Sequence, residues 1–218
     1  MIAGRLTALV AAFSRRSRAR RMGRCVEALG IGPDTRVLDV GGTLDIWRLA
    51  PVKPQLVILN EPRAGEESDG APVVFADGCA LPFADGSFDV VFSNSVIEHV
   101  GDEAAQARFA AEVTRVGRAY WVQTPNRRYF LETHLLTPFV HWLPRSWQAR
   151  IIRRGTVWEW IVRPSPDRRE YYLDHYLTRI RLLTARDLGG LFAGGQILRE
   201  RSFGWTKSLV AFRQGRQS

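Results

Sequence analysis

The first half of the chain alternates short apolar runs with helical or loop segments, and this alternation strongly limits the folds available to it. The runs lie at residues 36–40, 55–60, 72–77, 88–93 and 119–123. Each is almost continuously apolar, which is typical of a strand buried on both faces. Because such strands form parallel sheets with helices on both sides, we predict an α/β sandwich.

The pattern changes after residue 125 and then resumes. Residues 126–180 carry four tryptophans and several prolines, and we predict that they form an inserted, mostly helical cap. A helix is predicted at residues 184–192, followed by strands at residues 196–201 and 208–213 that pair as an antiparallel hairpin. The predicted fold is therefore a mostly parallel, seven-stranded sheet with a C-terminal antiparallel hairpin and a helical cap insertion.

Residues 1–30 are predicted to form a basic amphipathic helix ahead of the main domain at residues 31–218. One helical face carries the apolar side chains Leu6, Leu9, Val10 and Phe13. The apolar stretch is shorter than the roughly 20 residues that cross a bilayer, and its positive charges follow it, unlike those of a signal peptide. Two interpretations remain: the helix docks on its own domain, or residues 1–24 lie on a membrane surface.

The composition is that of a globular protein, and its charges and cysteines indicate which kinds of binding site to expect. The net charge of +9 is concentrated at residues 15–24 and 145–169, where it either meets anionic partners or forms a solvated surface. Cys25 and Cys79 are far apart and belong to no metal-spaced pattern, so we predict neither a metal site nor a disulfide framework. We expect a cytoplasmic protein, with a membrane-peripheral location as the alternative.

Polar or glycine residues follow four of the predicted strands, at the point where each strand ends. They are Asp39, Gly41 and Gly42 at the first strand, Asn60 and Glu61 at the second, Asp77 and Gly78 at the third, and Ser93 and Asn94 at the fourth. Ligands of open α/β sheets bind beyond the carboxyl ends of the strands. We therefore predict that these residues line one cleft, although ordinary turn chemistry alone would explain Asp77 and Gly78.

The turn GGTLD at residues 41–45 excludes two common phosphate sites. Thr43, Leu44 and Asp45 stand where the GxGxxG motif would leave bare backbone for a pyrophosphate, and the chain contains no GK[ST] sequence. The acids Asp39 and Asp45 would repel phosphate and attract a cation. The turn thus favours a cationic ligand.

Over about residues 30–125 the chain resembles the class I S-adenosylmethionine-dependent methyltransferases of the type 11 group. The resemblance rests on VLDVGG, on FADGCALPFADGSFDVVFSNSVIEHV, on EVTRV at residues 112–116 and on YWVQTPNR. It implies a Rossmann-like methyltransferase sandwich, an enzyme that transfers a methyl group, and S-adenosylmethionine as the cofactor.

The resemblance also implies how the first two strand ends would bind the cofactor. Gly41 and Gly42 would let the backbone approach its methionine and ribose parts. Asn60 or Glu61 would hydrogen-bond the ribose hydroxyls, where the family usually has an acid. The family commonly has a glycine at the position of Thr43. The Thr43 side chain is therefore expected to narrow the space in which the backbone approaches the cofactor.

The other two strand ends would bind the remaining parts of the cofactor. The resemblance implies that Asp77 accepts from the adenine amino group, and that Gly78 or Cys79 offers a backbone N–H. Ser93 and Asn94 would supply carbonyl contacts to the methionine amine.

The sequence assigns no general base, because a sulfonium methyl group is already activated. His99 is a weak candidate by position after the fourth strand, and an equally good interpretation is that it begins a helix and bonds locally. The other histidines, His134, His141 and His175, are candidates only by type.

The acceptor is predicted only by class: a small molecule, or a lipid-linked or glycan-linked group. The aromatic residues of the cap either line its pocket or form the cap's own core. The absence of an NPPY-like tetrapeptide argues against nucleic acid as a partner. The alternative function is a non-catalytic methyltransferase-like scaffold or binding protein.

Overall fold

The structure is a computed structural model that describes the backbone of residues 2–61 and 71–215, and their side chains from residue 15 onward. The apolar face predicted for Leu6, Leu9, Val10 and Phe13 lies outside the described side chains. Helix α1 (Ile2–Leu29) opens the chain. None of the helices in the described residues is long and apolar enough to cross a membrane.

The first half of the chain alternates strands with helices, as predicted. The elements in order are β1 (Arg36–Val40), α2 (Leu44–Trp47), β2 (Gln55–Asn60), β3 (Val73–Phe75), β4 (Phe88–Asn94), α3 (Glu103–Val116) and β5 (Gly117–Pro125). The third strand is shorter than its apolar run, so Asp77 lies in the turn that follows the strand.

The second half contains most of the short helices. Its elements are β6 (Leu131–Glu132), β7 (Thr137–Pro138), a 3-10 helix (Val140–Trp142), α4 (Arg145–Arg154), α5 (Val157–Val162), α6 (Pro166–Arg179), α7 (Ala185–Leu191), β8 (Gln196–Ser202) and β9 (Trp205–Arg213). Strands β6 and β7 pair as a separate two-stranded sheet. The sequence did not predict this pair, because a strand of two residues is too short to show a periodicity.

Seven strands form one sheet in the order β3-β2-β1-β4-β5-β9-β8. Strand β1 is parallel to both β2 and β4, and β2 is parallel to β3. Strands β8 and β9 pair in antiparallel fashion, with an irregularity between Glu200 and Arg201. The predicted mostly parallel sheet with a C-terminal antiparallel hairpin is therefore confirmed.

Local side-chain bonds explain where several helices begin. The Asp102 carboxylate accepts a hydrogen bond from the backbone N–H of Ala105 at the start of α3. Helices α5 and α7 both begin with a capping box, formed by Thr156 with Glu159 and by Thr184 with Asp187. Such caps satisfy backbone donors that a helix leaves unpaired at its first turn.

The chain divides into two compact units. Unit 1 consists of residues 1–94, 112–121 and 213–218, and unit 2 consists of residues 95–111 and 122–212. In unit 1 the core includes the buried face of β1 and β4, and the Trp47 ring meets the Phe92 ring edge-on.

Unit 2 has a core of its own within the predicted cap. Six buried residues form it: Leu135, Val140, Ile152, Leu173, Tyr176 and Ile180. Part of the cap's apolar sequence is therefore used for packing, while Phe139, Trp142 and Trp147 remain exposed.

Candidate cofactor site

The carboxyl ends of four neighbouring strands lie at one edge of the sheet, because β3, β2, β1 and β4 are adjacent and parallel. All the cofactor-binding residues predicted from the sequence follow or end these strands, and all belong to unit 1. The topology thus places the four strand ends along the edge where open α/β sheets bind ligands.

The glycine turn after β1 has a backbone conformation that requires glycine. Gly41 has φ 75°, in the left-handed region, where a side chain costs free energy. Its N–H donates to the Leu59 carbonyl at 2.7 Å, and Asn60 Nδ2 donates to the Gly42 carbonyl at 3.2 Å. The end of β2 therefore holds the turn, and Thr43 precedes α2 as its N-cap residue without a side-chain capping bond.

Asp39 is a fully buried carboxyl group beneath this turn. Its Oδ2 accepts from Trp47 Nε1 at 2.8 Å, whereas its Oδ1 is buried without a hydrogen-bond partner among the described residues. Burial raises the pKa of Asp39 to about 7, although the Trp47 bond opposes the shift. An unpartnered buried oxygen of this kind suits a cationic ligand.

Gly42 makes room for this carboxyl group. A Cβ atom built on Gly42 would overlap the Asp39 carboxylate. From the sequence, a glycine at position 42 was expected only because it lets the backbone approach a cofactor. The structure adds a second reason, the packing of the Asp39 carboxylate against Gly42, which the spacing of residues in the sequence does not reveal.

The end of β4 contributes Ser93 and Asn94, and their side chains bond to unit 1. Ser93 Oγ donates to the Val40 carbonyl at 3.0 Å, in a buried position. Arg21 Nη1, from α1, donates to Asn94 Oδ1 at 2.7 Å. Arg21 is only 8% exposed. The sequence predicted no more than that Arg21 belongs to a basic cluster, because the spacing of arginines does not distinguish a buried guanidinium from its solvated neighbours.

The turn after β3 is fixed by Asp77. Asp77 Oδ1 accepts from the Cys79 N–H at 2.8 Å, and the Ala80 N–H donates to the Asp77 carbonyl at 3.0 Å. Asp77 is exposed, with Gly78 between these partners. The turn chemistry that the sequence offered as an alternative is present, and an exposed carboxylate remains at the same strand end.

An ion-paired arginine fixes the loop that follows this turn. Arg115 donates to the carbonyls of Leu81 and Phe83 and to the carboxylates of Asp85 and Glu112, over 2.8–3.1 Å. Glu112 Oε2 also accepts from the Leu81 N–H at 2.7 Å. The hydrogen bond from Arg115 is the main reason that the pKa of Glu112 is lowered. Glu112 and Arg115 thus have a positioning role.

Two predicted residues lie apart from this network. Glu61 is exposed, at the end of the first described range. His99 belongs to unit 2, where its Nδ1 lies 3.3 Å from His175 Nε2. The imidazole therefore meets a residue far along the chain, in addition to the local bond that the His99 N–H donates to the Val96 carbonyl.

Comparison with known proteins finds a methyltransferase domain in the first half of the chain. Residues 30–119 match a family model described as a methyltransferase domain of the type 11 group. A demethylmenaquinone methyltransferase of Mycobacterium sp. strain KMS is 38% identical over 112 residues, which cover 47% of this chain and 48% of that protein. An uncharacterized methyltransferase of Mycolicibacterium gilvum is 40% identical over 99 residues, or 40% of this chain and 38% of that one. The chain spans about half the length, or less, of these curated relatives.

Solved structures confirm the fold. Magnesium protoporphyrin IX methyltransferase from Synechocystis, solved with bound S-adenosylhomocysteine, aligns over 92% of this chain and 84% of its own with a TM-score of 0.52. Its sequence identity is 12%, so this likeness concerns the fold alone. As the sequence predicted, residues 30–119 match a type 11 methyltransferase domain, and the fold is that of the class I S-adenosylmethionine-dependent methyltransferases.

Proposed function

We propose that the protein transfers the methyl group of S-adenosylmethionine to a small-molecule, lipid-like acceptor, and that the strand ends of unit 1 hold the cofactor. The observation that carries the proposal is the turn after β1. In this turn the left-handed Gly41 bonds to Leu59 and Gly42 bonds to Asn60, and the buried carboxyl group of Asp39 keeps one oxygen without a hydrogen-bond partner among the described residues.

Each part of the cofactor has a chemically suitable group at this edge. Gly41 and Gly42 offer bare backbone to the methionine and ribose parts, with Thr43 at the rim of the turn. Asn60 ends β2 and Glu61 follows it, where they would hydrogen-bond the ribose hydroxyls. The carboxyl group of Asp39 suits the positive charge of the amine and the sulfonium.

The other strand ends complete the proposed site. Asp77 offers an acceptor to the adenine amino group, and Gly78 and Cys79 offer backbone N–H groups. Ser93 and Asn94 would face the methionine end. Arg21, which bonds Asn94, adds a guanidinium that suits the cofactor's carboxylate.

The bound cofactor supplies an activated methyl group, so the protein has to align the acceptor and exclude water. His99 stays a weak candidate for a general base. We further propose that the cap at about residues 126–180 selects the acceptor, with residues 1–30 as a separate N-terminal helix of the domain at residues 31–218.

Two observations support a lipid-like acceptor. The curated relatives include demethylmenaquinone methyltransferases. In unit 2, helix α5 exposes Trp160, Ile161 and Val162 beside arginines. We infer that the protein works at a membrane surface on the cytoplasmic side, with α5 and residues 1–24 as the contacting segments.

Isothermal titration with S-adenosylmethionine and S-adenosylhomocysteine tests the cofactor site. Gly41→Val should weaken binding by at least about tenfold, because a branched side chain strains a left-handed turn and fills the ligand's place. Gly30→Val is the matched control: Gly30 has φ 61° with open space around it, so the variant bears similar strain and should bind as the wild type does.

Methyl transfer is tested by incubating the protein and labelled S-adenosylmethionine with bacterial lipid and aqueous extracts. Label in the lipid fraction, lost in Gly41→Val, is the expected result. Label only in a glycan or aqueous fraction would overturn the acceptor class alone. Absence of cofactor binding in the folded wild type would overturn the proposed function.

A further inference from the structure

Unit 2 contains a cluster of three side chains that commonly bind metal ions. Glu98, His99 and His134 each offer one ligand atom, and these atoms all lie within 4.8 Å of one another. The rings of His99 and His134 meet edge-on, with centroids 5.0 Å apart. The donors are therefore two imidazole nitrogens and one carboxylate oxygen.

Glu98 has an unsatisfied buried oxygen. The side chain is fully buried, and its Oε2 accepts from Thr124 Oγ1 at 2.9 Å. Its Oε1 is buried without a hydrogen-bond partner among the described residues. A buried acceptor without a partner destabilises the folded chain, and a cation bound at the cluster would remove that cost.

His134 is oriented as metal-bound histidines usually are. Its Nδ1 lies 2.7 Å from Glu132 Oε1. Glu132 is buried in turn, and its Oε2 accepts from the Leu135 N–H at 2.6 Å. A carboxylate at Nδ1 favours the tautomer with the proton on that atom, so Nε2 is the atom that can bind a metal.

His99 is oriented in a similar way by a different partner. Its Nδ1 lies 3.3 Å from His175 Nε2, and the two rings are stacked. The contact with His175 orients the His99 ring, which offers one ligand atom to the cluster. The cluster therefore has both the donor atoms and the supporting contacts of a metal site.

We propose that Glu98, His99 and His134 bind one divalent transition-metal ion, with Zn²⁺ as the ion that the donor set fits. Two histidines and one carboxylate are a recurrent set for Zn²⁺ sites that keep an open coordination position. Mg²⁺ and Ca²⁺ fit less well because they prefer all-oxygen ligands.

An open position would admit a water molecule, which the ion would polarise. The proposed metal site does not depend on the proposed function. The three metal-binding side chains belong to unit 2, whereas the candidate cofactor residues belong to unit 1. Failure of one site therefore does not imply failure of the other.

The experiment titrates ZnCl₂ into the full-length protein after metal removal with EDTA, and follows CoCl₂ binding by visible absorption. We expect one ion per chain. Glu98→Gln keeps the size of the side chain and removes its charge, so affinity should fall by more than about 100-fold. Glu132→Gln removes only the support of His134 and should weaken binding by roughly 10–100-fold.

His141→Gln is the matched control, because His141 is a buried histidine of unit 2 whose Nε2 contacts the Arg127 carbonyl at 2.9 Å. It should bind Zn²⁺ as the wild type does. If Glu98→Gln does not fold, as judged by circular dichroism, His99→Gln serves in its place because His99 is only partly buried. The proposal is overturned if the wild type binds no ion, or if the ligand variants bind as tightly as the control.

Discussion

Asp39 links the stability of unit 1 to pH because its carboxyl group is fully buried. Burial raises its pKa from the ordinary 3.8 to about 7. Between these two values the folded chain keeps a proton that the unfolded chain has released. The free energy of unfolding contributed by this group is therefore highest below about pH 4 and is lost as the pH rises through about 7.

Asp39→Asn should remove this pH dependence. Between pH 5 and pH 8 the wild type should lose about 2–3 kcal/mol of its free energy of unfolding, because it must ionise a buried carboxyl group. The variant has no such group, so its free energy of unfolding should rise by the same amount relative to that of the wild type. Urea unfolding at both pH values measures the change. Asp45→Asn, at an exposed acid paired with Arg48, is the control and should show no such rise. An equal difference at both pH values would show that Asp39 ionises normally.

Asp77 has two possible roles that one pair of variants separates. Asp77→Ala removes both the bond from the Cys79 N–H and the carboxylate, whereas Asp77→Asn can keep the bond. If Asp77 accepts from the adenine amino group, both variants should weaken S-adenosylmethionine binding, with a loss of about 1–3 kcal/mol for alanine. Titration calorimetry gives the affinities. Wild-type affinity in Asp77→Asn would assign the residue to the turn alone.

The sequence predicted that Asp39 and Asp77 lie at strand ends, because polar residues after apolar runs form a clear pattern. It did not reveal Arg21 at Asn94, or the fit of Asp39 against Gly42, because both depend on how side chains pack in three dimensions. The cluster around Glu98 was missed for the same reason. His99 and His134 are far apart in the chain and have no metal-type spacing, so the sequence predicted no metal site.

At the scale of elements, α5 combines a buried tryptophan near its start with an exposed apolar end. Trp158 is buried and stacks on Tyr172, with ring centroids 4.1 Å apart. Trp160 is 88% exposed, and Ile161 and Val162 are also exposed. Exposed arginines stand on both sides of the helix: Arg153, Arg154 and Arg163. Tryptophan beside basic residues is typical of segments that lie in a membrane interface.

The double variant Trp160→Ser, Ile161→Ser should reduce binding to lipid vesicles by on the order of tenfold or more, since about 2–3 kcal/mol of apolar burial is lost. Flotation with vesicles of phosphatidylglycerol and phosphatidylcholine measures the effect. Phe203→Ser, at a residue 82% exposed in the β8–β9 turn, is the control. Equal flotation of the double variant and the wild type would remove α5 from the membrane contact.

For the whole molecule, the sequence predicted the sheet because its buried strands are long apolar runs separated by clear turns. The hairpin of β8 and β9 followed from two such runs near the C-terminus. The cap was harder to predict because packing decides which of its aromatic residues are buried. Trp158 and Trp160 are two residues apart on one short helix, and only the first is buried.

The division of the proposed ligands between the units predicts separable effects on thermal stability. S-adenosylmethionine at about 100 times its Kd should add about 2.7 kcal/mol of stability, or roughly 5–10 °C in Tm for a chain of this size. Glu98→Gln should keep this shift and lose the shift caused by Zn²⁺, whereas Gly41→Val should do the reverse. Differential scanning fluorimetry of each variant with each ligand measures all four combinations. Loss of both shifts in one folded variant would mean that the two ligands depend on a shared structure, because each proposed set of binding residues belongs to a single unit.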